Sequence, residues 1–101
     1  MTAFNVVRFR VKPGAEQAFL DAHAQANRDW PGSRRFSVVD AGQGRFFVIG
    51  EWDSLEAMAA VRPKMIATLD SFRHTLEDLG GGLGVTDPIA GTAVMELRPG
   101  G

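Results

Sequence analysis

His23 and Asn5 are the two side chains best placed for chemistry on a small molecule. His23 follows Phe19 by four residues, at the border of the apolar stripe of a predicted helix. A neutral imidazole there can act as a general base on a phenolic or enolic substrate, or it can be a partly buried histidine bonded to the backbone. Asn5 has the strand parity of Val7 and Phe9, so its amide either points into the helix-side interior or is solvated at a strand edge. The sequence predicts His23 as the candidate catalytic residue and Asn5 as a candidate substrate contact.

Trp52 and Arg73 are the other two candidate substrate contacts. Trp52 ends a predicted strand with the parity of Val48, so its indole can stack on an aromatic ligand and donate its N–H to a carbonyl, or it can belong to the core. Arg73 lies at the border of a predicted helix, where its guanidinium can reach an anionic substrate or intermediate. The alternative for Arg73 is a surface ion pair with Asp70 or Glu77.

Several other chemistries lack the residues they need. The chain has no cysteine, which removes disulfides, thiolate metal sites and cysteine nucleophiles. No cluster of His, Asp and Glu has the spacing of metal ligands and no Ser-His-acid set stands out, so neither a metal nor another cofactor is expected. The glycine-rich run Gly80–Gly84 follows a predicted helix, whereas a phosphate loop follows a strand and opens a helix. We interpret this run as a loop that could act as a lid over a pocket.

The composition indicates one ordinary globular domain spanning residues 1–101. Hydrophobic residues make up 45% of the chain and charged residues 23%, which is close to the average for folded soluble proteins. The formal net charge is −1, so no global positive field is available to hold nucleic acid or an anionic membrane. The sequence shows neither a signal peptide nor an apolar stretch long enough to span a membrane, and a cytoplasmic location is expected.

The hydrophobic patterns predict an α+β fold. Short runs rich in β-branched and aromatic residues indicate strands, and apolar stripes at helical spacing indicate helices. Pro63 suits the first turn of a helix, so the second helical unit is expected to be broken near this residue. The predicted elements are a strand over Phe4–Val11, a helix over Ala15–Trp30, strands over Arg34–Asp40 and Arg45–Trp52, a helical unit from Asp53 to Leu79, and a strand over Thr92–Leu97. This β-α-β-β-α-β order is ferredoxin-like, with helices covering one face of an antiparallel sheet.

Both faces of this predicted sheet carry large apolar side chains. Phe46 and Val48 point to one face, whereas Phe47 and Ile49 point to the other. Two helices can cover only one face, and an exposed apolar face of several hundred Å² is unusual for a monomer. The sequence therefore predicts a homodimer that forms through the uncovered sheet face. Arg8 and Arg10 share that face, and we expect them at the dimer interface, paired with residues such as Glu51 or Glu96.

Two motifs also carry a resemblance to a known family. They are Val7–Gly14 (VRFRVKPG), which an amphipathic helix follows, and Gly50–Ala57 (GEWDSLEA), which follows a predicted hairpin. Together they resemble the antibiotic biosynthesis monooxygenase (ABM) domain family, and the similarity in element order extends from Phe4 to Leu97. The resemblance implies a dimeric α+β barrel. It also implies one of several activities, because the family includes cofactor-independent monooxygenases of polycyclic phenols, haem-degrading enzymes and members without an established activity.

The sequence departs from both enzymatic branches of this family. The phenol-oxidising type implies an Asn, Trp, Tyr and Arg set around a pocket between helices and sheet, and this chain has no tyrosine. The haem-degrading type implies an Asn on the first strand and a Trp and His on the second helix. Here Asn5 lies one inward-facing position too early, the second helix has no Trp, and His74 lies off its apolar stripe, where we expect solvent exposure.

The resemblance and the residues together lead to two functional hypotheses. The first is an ABM-type cofactor-independent monooxygenase, or a related small oxidoreductase, that acts on a small aromatic or phenolic compound. The second is a non-catalytic ligand-binding or sensing dimer that uses the same pocket. Under both hypotheses the expected partners are a second copy of the chain and a small aromatic molecule, with no nucleic acid and no membrane.

Overall fold

The computed structural model describes residues 1–100 and has an α+β architecture, with two helices packed on one face of an antiparallel sheet. Its element order confirms the ferredoxin-like prediction. A single 3-10 turn, Arg73–Thr75, joins the second helix to the short strand after it. The elements are β1 (Ala3–Val11), α1 (Glu16–Gln25), β2 (Ser33–Gly42), β3 (Arg45–Trp52), α2 (Leu55–Phe72), β4 (Leu76–Glu77) and β5 (Asp87–Thr92).

The sheet has the strand order β2-β3-β1-β4, and β5 also pairs with β1. Both β4 and β5 run antiparallel to β1, so together they form one edge strand in two pieces. The intervening loop over residues 78–86 contains the glycine-rich run, and its glycines at 80, 81, 82 and 84 have positive φ. This loop therefore lies beside the sheet edge, between the two pieces of the edge strand.

The last strand lies earlier than predicted. The sequence places a strand over Thr92–Leu97 and an irregular connection before it, whereas β5 covers Asp87–Thr92. The pairing register explains the difference, because Thr92 already pairs with Ala3, the first residue of β1. Residues 93–100 have no strand beside them, and their contact with β1 is limited to a hydrogen bond from the Ala93 N–H to the Thr2 carbonyl.

Both helices also differ from the predicted bounds. Helix α2 passes through Pro63 without a break, and the proline lies on the solvent side of the helix. It ends at Phe72 rather than Leu79, and the chain then enters β4. Helix α1 ends at Gln25 rather than Trp30, because Ala26 takes an extended conformation. Ser54 caps the N-terminus of α2, since its side chain accepts a hydrogen bond from the Ala57 N–H at 3.0 Å.

The core lies between the helices and the sheet face formed by the odd-numbered residues of β1. Its buried side chains form two clusters, one around Phe19 and one around Trp52. The opposite sheet face, which we call the outer face, carries the half-buried side chains of Phe4, Val6, Phe47 and Ile49. Within residues 1–100, neither helix is long and apolar enough to cross a bilayer.

Candidate functional site

A cavity of about 500 Å³ lies between the helix-facing side of the sheet and α2. Its walls are largely apolar, which suits an aromatic ligand. The polar side chains that line it are few: Asn5 from β1, His23 from α1, Arg28 from the segment after α1, Arg62 and Thr68 from α2, and Thr86 from the loop before β5. A small aromatic molecule could therefore be enclosed here and oriented by a handful of polar contacts.

His23 is buried at one end of this cavity in an aromatic cage. Its ring centroid lies 4.4 Å from the ring centroids of both Phe19 and Phe72, and 6.5 Å from that of Phe9. Its Nδ1 lies 2.8 Å from the carbonyl oxygen of Phe19. A carbonyl can only accept, so in the neutral imidazole Nδ1 carries the proton and Nε2 carries the free lone pair.

The free lone pair of Nε2 is available to a ligand. Within residues 1–100, no buried side-chain nitrogen or oxygen lacks a hydrogen-bond partner. His23 makes its side-chain hydrogen bond through Nδ1, so an unpartnered Nε2 must be reachable by solvent, and His23 lines the cavity. His23 can therefore be hydrogen-bonded to the backbone and still act as a general base, so the two alternatives from the sequence are compatible. The backbone bond fixes the tautomer that leaves Nε2 basic.

Burial lowers the pKa of His23 below its ordinary value near 6.5, and the nearby positive charge of Arg28 lowers it further. The hydrogen bond to Phe19 opposes these two effects without reversing them. The imidazole is consequently neutral at pH 7. It can accept a proton from a ligand without first having to lose one.

This pKa shift predicts a pH dependence of stability. Below about pH 6.5 the unfolded chain takes up a proton at His23 that the folded chain resists, so the free energy of unfolding falls as the pH drops toward the lowered pKa. Urea denaturation at about pH 7.5 and pH 5 should show a larger loss for the wild type than for His23→Gln. The exposed His74 gives a matched control: the free energy of unfolding of His74→Gln should fall between the two pH values by as much as that of the wild type. Equal losses for His23→Gln and the wild type would contradict the assigned shift.

Asn5 lies toward the opposite end of the cavity, where its orientation is fixed. The Trp52 Nε1 donates a hydrogen bond of 2.8 Å to the Asn5 Oδ1. Asn5 pairs with Gly50 in the β1–β3 register, and the missing side chain at Gly50 makes room for this bond. The Asn5 Nδ2 is therefore the free donor of the amide, and the same burial argument as for His23 makes it reachable from the cavity.

The other two predicted contacts do not face the cavity. Trp52 is fully buried, packed parallel to Trp30 at 6.2 Å between ring centroids, and its N–H is used by Asn5. It positions Asn5 rather than touching a ligand. Arg73 is exposed on the 3-10 turn and forms an ion pair with Asp70 at 3.0 Å, which is the alternative that the sequence allowed. The structure thus brings His23 and Asn5 to one cavity and leaves Arg73 outside it.

Arg28, Trp30 and Phe36 line the cavity but were not among the predicted site residues. Arg28 and Trp30 fall at the end of the predicted helix Ala15–Trp30, which would direct their side chains differently. Because α1 ends at Gln25, the segment after it turns across the mouth of the helix-sheet gap. The signal that could have found them is the aspartate- and asparagine-rich run Asn27–Asp29, which favours a turn over a helix.

The remaining predicted features lie outside the cavity or at its rim. His74 is exposed, as expected, and is not among the cavity-lining residues. Among residues 1–100, no three His, Cys, Asp or Glu side chains come together in a way that could hold a metal ion. Thr86, just after the glycine-rich loop, lines the cavity, so the loop reaches the rim without covering the site.

Known proteins share this fold. A family model described as antibiotic biosynthesis monooxygenase matches residues 2–62. A putative antibiotic biosynthesis monooxygenase from Chloroflexus aurantiacus J-10-fl is similar over 99% of this chain and 100% of that chain, with 15% identity and a TM-score of 0.73. SnoaB, a cofactor-independent oxygenase from Streptomyces nogalater, is similar over 95% of this chain and 96% of that chain, with 18% identity and a TM-score of 0.66. No curated protein matches the sequence.

Proposed function

Since the chain belongs to the antibiotic biosynthesis monooxygenase family, we propose that it is a cofactor-independent monooxygenase of a small phenolic aromatic compound. The observation that carries the proposal is the state of His23, a neutral imidazole that lines an apolar cavity and whose Nδ1–H is held by the Phe19 carbonyl, which leaves Nε2 as the basic nitrogen. The description of SnoaB as a cofactor-independent oxygenase supports the same reaction class.

The cavity is suited to a flat substrate of more than one ring. Asn5 and Phe9 both line it and lie four residues apart on β1, so the cavity follows the strand for roughly 13 Å. His23 packs at the Phe9 end, and Asn5 with Phe36 forms the other end. A fused-ring phenol lying along β1 would place one end near the base and the other near the amide donor.

In the proposed reaction, His23 Nε2 removes a proton from the bound phenol or from the CH₂ group conjugated to it. The Asn5 Nδ2–H stabilises the oxyanion of the resulting enolate by a hydrogen bond. The electron-rich carbon then reduces O₂ and forms a C–O bond to it, giving a hydroperoxide. Loss of water from that hydroperoxide leaves a carbonyl, so the CH₂ group and O₂ become C=O and H₂O. The protein supplies proton transfer, orientation and exclusion of bulk water.

Oxygen consumption with anthrone and 1-naphthol tests this proposal. Purified protein should accelerate oxygen uptake above the uncatalysed rate, with saturation in the phenol, and mass spectrometry should find one added oxygen atom in the product. Saturable binding of these compounds with no oxygen uptake would overturn the enzyme and favour the ligand-binding alternative. That alternative draws on the same cavity, whose walls are largely apolar and carry few polar groups.

We also propose that the working unit is a homodimer that forms through the outer face. Phe4, Val6, Phe47 and Ile49 remain only half-buried on that face of a single chain. The segment after β5 adds further uncovered apolar surface, since Val94, Met95 and Leu97 are each at least 73% exposed. A second copy would remove both from water, which the hydrophobic effect favours.

The dimer proposal predicts the outcome of one substitution in light scattering. The wild type should have twice the mass of one chain, and Ile49→Glu should be monomeric, because it places a charge in the middle of the outer face. Leu20→Glu, on the solvent side of α1, is the matched control and should stay dimeric. A monomeric wild type, or a dimeric Ile49→Glu, would contradict the proposed interface.

A further inference from the structure

Among residues 1–100, no carboxylate pairs with Arg28, although its guanidinium is partly withdrawn from water. It lines the cavity, lies 5.6 Å above the ring centroid of Phe36, and donates from Nη1 to the His23 carbonyl. Burial lowers its pKa from the ordinary value of an arginine. The ion pairs within residues 1–100 all use other arginines: Arg8 with Asp87, Arg34 with Asp53, and Arg73 with Asp70.

The cavity around Arg28 is electropositive. No aspartate or glutamate among residues 1–100 lines it, whereas two arginines, Arg28 and Arg62, do. Removing a guanidinium from water costs free energy unless an anion compensates. Three exposed arginines, Arg8, Arg34 and Arg73, have a carboxylate partner, whereas the partly buried Arg28 has none among residues 1–100. The uncompensated charge of Arg28 therefore indicates that its counter-ion belongs to the ligand.

The geometry of Arg28 suits a planar anion. A guanidinium has five N–H donors, and the hydrogen bond to the His23 carbonyl uses only one of its nitrogens. The hydrogen bond to the His23 carbonyl and the contact with the Phe36 ring together hold the planar guanidinium of Arg28 in place. A fixed fork with free N–H groups matches the two oxygens of a carboxylate, which it can bind bidentately.

We propose that the cavity selects aromatic ligands that carry a carboxylate, and that Arg28 is the residue that binds this group. The inference deepens the proposed function by naming the substrate class: an aromatic acid whose phenolic part faces His23. Arg62 is exposed on α2 at the rim and attracts anions toward the cavity, but it lacks the ring and the backbone bond that fix Arg28.

A binding experiment with two matched compounds tests the subsite. 2-Naphthoate and 2-naphthamide have the same ring system and nearly the same shape, but only the first is an anion. Calorimetric titration of the wild type should give a Kd at least tenfold lower for 2-naphthoate. Arg28→Met should give equal affinities for the two compounds, and Arg28→Lys, which keeps the charge without the fork, should give an intermediate ratio.

Control variants distinguish the effect of Arg28 on carboxylate binding from the effects of other arginines and from turnover. Arg73→Met, outside the cavity, should keep the wild-type ratio of affinities. Equal affinities of the wild type for 2-naphthoate and 2-naphthamide would overturn the proposal. A tenfold preference for 2-naphthoate that persists in both Arg28 variants would overturn it too. So would a preference that is lost in Arg62→Met and kept in the Arg28 variants. Neither compound has a phenolic hydroxyl to oxidise, so this result is independent of oxygen uptake. A carboxylate preference without turnover of anthrone would retain the subsite and overturn only the monooxygenase.

Discussion

His23→Ala should lower the kcat of oxygen consumption by about 100- to 10,000-fold, the range by which general bases contribute to rate. The physical reason is that His23 lines a cavity whose other basic side chains, Arg28 and Arg62, are guanidinium groups, which have no acceptor lone pair. With the imidazole removed, water is the remaining proton acceptor. The KM of the phenol should change much less, because the apolar walls that bind its rings remain.

His74→Ala is the matched control for this prediction. His74 is exposed and does not line the cavity, so its removal should leave both kcat and KM at the wild-type values. A fall of kcat in His23→Ala that is matched by His74→Ala, or the absence of any fall, would show that proton removal by His23 does not limit the reaction.

Gly50→Ala should lower both the stability of the fold and the rate of turnover. An alanine Cβ at position 50 would overlap the Asn5 Oδ1 and lie 2.9 Å from Trp52 Nε1 and 3.1 Å from Phe36 Cε1. Asn5 and Trp52 are both buried, so neither can move away into solvent. Overpacking of about 1–3 kcal/mol and the loss of a buried hydrogen bond worth about 1 kcal/mol should together lower the free energy of unfolding.

The functional part of the Gly50 prediction follows from the same contact. Once the bond from Trp52 is broken, the amide of Asn5 can turn its oxygen toward the cavity, where it repels an oxyanion instead of stabilising it. Gly91→Ala is the control, since Gly91 lies in β5 of the same sheet and an added Cβ meets no atom within 4 Å. Urea denaturation and the oxygen assay should both separate the two variants, and indistinguishable behaviour would contradict the positioning role.

The parity of β1 could be predicted from sequence because strand alternation follows directly from backbone geometry. It placed Asn5 on the face of Phe9, and the structure shows both on the cavity wall. The hydrogen bond between Trp52 and Asn5 could not be predicted in the same way. It depends on the register that sets Asn5 against Gly50, and register is determined by tertiary pairing rather than by either strand alone.

The segment after α1 shows a second limit of sequence patterns. The apolar stripe from Ala15 to Trp30 continues at helical spacing, so periodicity alone extends α1 too far. In the structure the Arg28 side chain donates to the His23 carbonyl, which an extended helix would have used for the N–H of residue 27. The turn-forming residues Asn27–Asp29 thus outweigh the apolar periodicity, and Arg28 reaches the site as a result.

The resemblance to phenol-oxidising relatives was informative about fold and less so about chemistry, because the chain lacks tyrosine. The structure offers a base of a different kind on α1, together with an amide donor on β1. In the proposed reaction, His23 therefore takes the proton without a tyrosine. Whether the ligand is oxidised or only bound depends on whether His23 takes its proton.

The most direct test of this account is an anaerobic spectroscopic titration of anthrone with the wild type and His23→Ala. Without O₂ the reaction stops after proton removal, and the anthrone anion has an absorption band that the neutral compound lacks. The account predicts that the anion band grows with wild-type protein, saturates, and disappears when O₂ is admitted. His23→Ala should bind anthrone without producing the band. Neutral anthrone bound to the wild type, or an equally strong anion band with His23→Ala, would contradict the central claim.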